Sequence, residues 1–124
     1  MKLPALLLAI MLSFGCAAHV QHPGTANMFD SDSYDTLLVT DSVIQSTKTS
    51  YTAGQFPAAI MPDVKTALNG LIAAYDTADT VYIAYHNAAM TAAGATPAQQ
   101  SAVATSLAQV ATATAALTSA KAGH

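Results

Sequence analysis

Histidine and aspartate are the side chains in this sequence whose types and spacing could do chemistry. Asp79 and His86 lie seven residues apart, so on a helix they share a face, and an imidazole with a carboxylate can hold a divalent metal ion. His19 and His22 lie three apart near the N-terminus, and a chain that began at His19 would add its free amine to these two imidazoles as copper ligands. These four residues are the candidate metal ligands. A solvent-facing histidine, with aspartates that keep the helix soluble, is the simpler interpretation of His86.

The sequence carries none of the local motifs that identify common catalytic sites. Serine and threonine are abundant, but no Gly-x-Ser-x-Gly elbow, phosphate-binding loop or His-Glu-x-x-His motif occurs. Glutamate is absent, so the acids are seven aspartates, and four of these lie within residues 30–41, where a helix N-terminus and solvation explain them. The sequence therefore predicts a protein that is not an enzyme and needs no cofactor.

Composition limits the fold and the partners. The chain has 124 residues, which is room for one domain, and only 9% of them are charged, with a net charge of −3. Its four basic side chains are all lysine, so a basic nucleic-acid-binding surface is excluded. Hydrophobic residues make up 52% of the chain but aromatic residues only 6%, so much of the apolar content is alanine.

The first 15 residues have the pattern of a signal peptide. Lys2 supplies a positive charge and is followed by an apolar run over residues 3–14. This run is shorter than the roughly 20 residues that a membrane-spanning helix needs. Cys16 comes directly after this segment and is the sole cysteine, so it can form no intramolecular disulfide.

The segment Leu12-Ser13-Phe14-Gly15-Cys16 resembles the lipobox of bacterial lipoproteins. That family has a small residue before the cysteine, as Gly15 is here. The resemblance implies that Cys16 is lipidated, carries palmitate-type acyl chains and becomes the first residue of a membrane-anchored cell-envelope protein. In the same family, Ala17 rather than aspartate after the cysteine favours the outer membrane. The alternative is an ordinary secretory signal, cut near residues 16–18, that releases the protein.

Periodicity predicts an all-α mature chain. Residues 16–31 contain proline, glycine and asparagine without an apolar period and indicate a flexible tether. Helices are predicted at about 33–53, with Asp32 as N-cap, at about 63–93, and at 97–121, where Thr96-Pro97-Ala98-Gln99 forms a capping box.

Short connections between these helices favour a small antiparallel three-helix bundle, arranged up-down-up. The positions assigned to its core have seven-residue spacing, as in Leu37 and Ile44, and we expect neighbouring apolar residues to widen each buried stripe. These widening residues are Tyr34, Leu38 and Val43 on the first helix and Ile72, Ile83 and Met90 on the second. Close packing of alanine-rich helices is also compatible with self-association.

Together these features predict a non-enzymatic lipoprotein of the cell envelope, tethered to the membrane, with a structural or adaptor role and an unidentified protein partner. The alternative is a secreted or periplasmic metal-binding module that uses His19 and His22, with His86 as a further ligand.

Overall fold

Three helices make up the described part of the chain. The computed structural model describes residues 22–123, and within this range α1 spans Met28–Thr52, α2 spans Met61–Ala89 and α3 spans Pro97–Lys121, with no strand. The fold is therefore the predicted all-α three-helix bundle. The predicted signal peptide, Cys16 and His19 lie outside the described residues.

Contacts between helix ends fix the up-down-up arrangement. The side chain of Asn27, just before α1, meets the Tyr85 hydroxyl near the end of α2. At the opposite end of the bundle, Gly123 after α3 lies against the Ile60 side chain just before α2. Helix α2 runs antiparallel to both neighbours and packs most extensively against α3.

Helix α1 begins five residues before the predicted start, and the prediction of a tether through residue 31 is wrong for its last part. The N-cap is Asn27, whose side chain accepts a hydrogen bond from the Asp30 backbone N–H at 2.8 Å. The Asp30 carboxylate in turn accepts the Ala26 backbone N–H at 2.7 Å. These reciprocal bonds satisfy N–H groups that a helix start leaves free, so Asn27 rather than Asp32 caps the helix.

Helix α2 ends at Ala89, four residues before the predicted end. The Thr91 backbone N–H and hydroxyl both bind the Ala88 carbonyl, at 3.1 and 2.6 Å. This tight turn replaces the next helical hydrogen bonds, and Gly94, at φ +75°, then reverses the chain. Helix α3 has the predicted bounds and the predicted capping box, with Thr96 and Gln99 bonding each other's backbone N–H.

The core consists of small and medium-sized side chains from all three helices. Buried members include Leu37 and Ile44 of α1, Leu71 of α2, and Val110 and Leu117 of α3. Tyr75 and Tyr82 of α2 also pack there. Of the six residues expected to widen the stripes, Val43 and Ile72 pack against the core, but four are exposed by 41–55%, so the stripes are narrower than predicted. These four residues are Tyr34, Leu38, Ile83 and Met90.

Hydroxyl groups allow α1 to bury serine and threonine. Buried Ser33 and Thr40 donate to the carbonyls of Phe29 and Thr36, four residues earlier, at 2.7 and 2.8 Å. A buried hydroxyl without a partner would cost about 1–3 kcal/mol, and these local bonds avoid that cost. No helix within residues 22–123 is long and apolar enough to cross a membrane.

Replacing Gly70 by alanine should stabilise the protein by about 0.5–1 kcal/mol, because glycine is a poor helix residue and no atom lies within 4 Å of an added Cβ. Urea denaturation would measure the gain. The control is Gly54→Ala, which should destabilise the protein because Gly54 has a φ of +70°. Equal effects of the two changes would contradict this account.

Replacing Leu71 by alanine should destabilise the bundle by about 2–5 kcal/mol, because its fully buried side chain would leave a cavity between the helices. Ile83→Ala on the same helix is the matched control, and it should cost well under 1 kcal/mol because Ile83 is 49% exposed. Thermal or urea unfolding of the two variants would test the difference.

Candidate functional site

A cavity of about 310 Å³ lies at the end of the bundle where α1 begins and α2 ends. Four aromatic rings line it, from His22, Tyr34, Tyr82 and His86, and residues 23–25 complete its rim. We call this cavity the ring pocket. The His22 ring meets Tyr34 edge-on at 5.6 Å between centroids, and the His86 ring stacks on Tyr82 at 5.8 Å.

Behind the ring pocket, a buried carboxylate holds His86. Asp30 Oδ2 lies 2.7 Å from His86 Nδ1, and the Asp30 side chain is fully buried while that of His86 is 28% exposed. Because Nδ1 is occupied, His86 has Nε2 as its remaining polar atom. Helix periodicity cannot reveal this pair, since its two members come from different helices.

Opposing effects set the charge state of Asp30. Burial by itself raises the pKa of this carboxyl, but the Ala26 backbone N–H, the Tyr82 hydroxyl and the His86 ring together hold the pKa below its usual range. Tyr82 and His86 are the side chains that stabilise the negative charge of Asp30. The other carboxylate oxygen, Oδ1, has no hydrogen bond of standard geometry within residues 22–123. Asp30 is therefore ionised in the folded protein at neutral pH.

A second histidine–aspartate pair attaches the segment before α1 to the bundle. The His22 ring pairs with the Asp35 carboxylate through Nε2 and Oδ1. The His22 backbone N–H donates to Ser31 Oγ at 2.9 Å, and the Thr25 hydroxyl donates to the His22 carbonyl at 2.6 Å. Residues 22–27 are thus folded onto the start of α1, where the sequence predicted a free tether.

Two tyrosines support the site from within the bundle. Burial and the nearby Asp30 carboxylate raise the pKa of Tyr82 far above its usual value, so the hydroxyl stays protonated and can donate. Tyr85, whose role the sequence leaves open, is 2% exposed and packs edge-on against Phe29 at 5.2 Å. Its hydroxyl lies 3.2 Å from Asn27 Nδ2, which connects the α1 cap to α2.

The structure brings together two of the four candidate metal ligands, namely His22 and His86, at the ring pocket. Asp79 does not join them: it acts on Tyr75, whose pKa is raised first by burial and then by Asp79 and its neighbours. Within residues 22–123 no three His, Cys, Asp or Glu side chains are grouped closely enough to hold a metal ion. Binding by His19 and His22 stays a prediction, and with Nε2 paired to Asp35 the His22 ring would use Nδ1.

Charge is unequally distributed along the bundle. The half of the bundle that contains the start of α1 and the end of α2, here called the acidic half, holds the ring pocket and Asp30, Asp32, Asp35 and Asp79, while Asp41 and Asp76 lie near the middle of the bundle. The three lysines of the described range, Lys48, Lys65 and Lys121, lie toward the opposite end with Asp63. The ring pocket therefore lies in a negative potential that attracts cations and repels anions.

The sequence pattern does not mark Asp30 and Asp35, two residues central to this site, as members of a chemical site. The helix dipole and solvation are sufficient to explain the four aspartates within residues 30–41. The sequence carries one signal for Asp30, the Asn27-x-x-Asp30 spacing, which is typical of an N-cap residue followed by an acid at the third helical position.

Comparison of the chain with protein-family models, with curated proteins and with solved structures gave no match.

Replacing Asp30 by asparagine should destabilise the protein by about 1–3 kcal/mol at pH 7, because His86 and the Ala26 N–H lose a charged acceptor. The pKa of Asp30 is lower in the folded chain, so its contribution is fully present above the unfolded pKa and is lost as pH falls through the folded value.

Urea denaturation between about pH 7 and pH 2 would therefore show the difference between wild type and Asp30→Asn shrinking below about pH 4. Asp32→Asn is the control, since Asp32 is exposed on the same turn of α1 and its loss should change stability little. A difference that stays constant down to pH 2 would contradict a structural role for the Asp30 charge.

Proposed function

We propose that the chain is a non-enzymatic lipoprotein of the cell envelope, anchored through acylated Cys16, in which the helical bundle has a structural or adaptor role. The lipobox-like segment that ends at Cys16 supports the anchor.

The attachment of His22 to α1 is the observation that carries the proposal furthest. His22 binds Asp35 and Ser31, so five residues separate the attached segment from Cys16 instead of a tether of about fifteen. The six steps from Cys16 to His22 span at most about 20 Å. A lipid on Cys16 would therefore hold the acidic half of the bundle close to the membrane surface.

This geometry suits an adaptor better than a freely moving domain. A long flexible tether would allow a bundle to sample a wide volume, whereas a short one restricts its distance from the surface and favours one end as the membrane-facing end. Helix α3 carries no charged residue between Pro97 and Ala120. With the bundle along the membrane normal or across it, the outer side of α3 would be open to a protein partner.

Labelling cells with radioactive palmitate should mark the wild-type protein and leave Cys16→Ser unlabelled, because the thiol of Cys16 is the proposed acyl acceptor. Gly15→Trp is a matched control, since it keeps the thiol but removes the small residue that lipoproteins have before their cysteine. This variant should also lose the label.

The labelled wild type should fractionate with membranes, and mass spectrometry should give Cys16 as its first residue. Equal labelling of wild type and Cys16→Ser would contradict the proposal. An unlabelled protein in the medium that starts at His19 would support the secreted alternative instead, and calorimetry with copper and zinc would then test the metal-binding role of His19 and His22.

A further inference from the structure

We propose that the ring pocket is a binding site for a small organic cation of the ammonium type. The site is separate from the proposed lipid anchor and does not depend on it. It is built from residues of the first segment, α1 and α2, which meet at one end of the bundle.

The walls of the pocket have the chemistry that cations select. The faces of Tyr34 and Tyr82 carry negative electrostatic potential, and an ammonium group within about 6 Å of such a ring is attracted by about 0.5–2 kcal/mol. The two histidine rings line the same open cleft, with His86 stacked on Tyr82 and His22 edge-on to Tyr34. Aromatic walls of this kind favour methylated or alkylated ammonium groups, which are weakly hydrated, over strongly hydrated ions.

Carboxylates stand directly behind two of these rings. Asp35 pairs with His22, and Asp30, which is fully buried and ionised, pairs with His86. Both lie in the acidic half, and the lysines of the described range are at the other end of the bundle. The surrounding charge therefore adds to the attraction of the rings for a cation.

The same features argue against other occupants. An anion would enter a negative potential, and the start of α1, the place that would attract it, is already capped by Asn27 and Asp30. A transition metal would need more converging ligands than the described residues supply. The volume of about 310 Å³ is at the lower end for ligand pockets and so limits the occupant to a small molecule or a headgroup.

Choline and its neutral isostere 3,3-dimethylbutan-1-ol separate charge from shape, because the two molecules differ mainly in a nitrogen that replaces a carbon. Each would be titrated into the full chain while NMR follows the side-chain signals of His22, Tyr34 and His86. We expect saturable shifts with choline and an affinity for the isostere that is lower by about fivefold or more. Sodium acetate should give no saturable shift.

Variants of Tyr34 test the aromatic wall. Tyr34 is 41% exposed, so its replacement should leave the fold intact. Tyr34→Leu, which keeps apolar bulk without a ring, should weaken choline binding by about threefold to tenfold, and Tyr34→Phe should restore it. Leu38→Ala is the matched control, one turn further along α1, 48% exposed and outside the pocket lining, and it should bind as wild type does.

Asp35→Asn tests the contribution of charge, and it should weaken choline binding more than binding of the isostere. Because Asp35 also holds the His22 ring, helical circular dichroism and the signals of both His22 and His86 would show that each variant keeps the fold and the pocket. Equal affinity for choline and the isostere, saturable binding of acetate, the absence of any saturable shift with choline, or unchanged binding in Tyr34→Leu would each overturn the proposal.

Discussion

The buried carboxylate of Asp30 connects more parts of this molecule than any other described side chain. It accepts the Ala26 N–H before α1 and pairs with His86 near the end of α2, while its own backbone N–H binds the Asn27 cap. One residue thus defines the start of a helix, aligns two antiparallel helices and positions a wall of the ring pocket. A fully buried charge is tolerated there because its partners offset the loss of hydration.

A core with few large side chains explains why such polar connections matter. Alanine, valine and threonine occupy many inward positions, so the apolar area available to stabilise the bundle is limited. Ser33 and Thr40 remain compatible with burial in α1 because their hydroxyls bind carbonyls of the preceding turn, whereas the buried Thr47 hydroxyl has no hydrogen-bond partner within the described residues. Fold specificity at the α1–α2 end then comes from directional contacts, such as Asn27 with Tyr85, that a slipped helix could not keep.

The proposed anchor and the proposed pocket meet at the same end of the bundle. His22 belongs to both, since it is the residue nearest Cys16 in the described chain and also one wall of the ring pocket. A protein held by a short connection at this end would present the pocket near a membrane surface, where zwitterionic headgroups that contain ammonium groups are concentrated. The two proposals remain independent, because the pocket is formed by contacts that do not involve Cys16.

The sequence by itself determined the helical class, the number and order of helices, the capping box at Thr96 and the seven-residue core spacing of Leu37 and Ile44. These features depend on local hydrogen bonding and on periodicity, which a linear sequence carries in full. Only the tertiary structure decided that His86 pairs with Asp30 rather than with Asp79, and that His22 is attached rather than free. Those pairs join residues 56 and 13 positions apart: the first follows from how α1 and α2 align in space and the second from how the segment before α1 folds back onto it, and no local pattern encodes either.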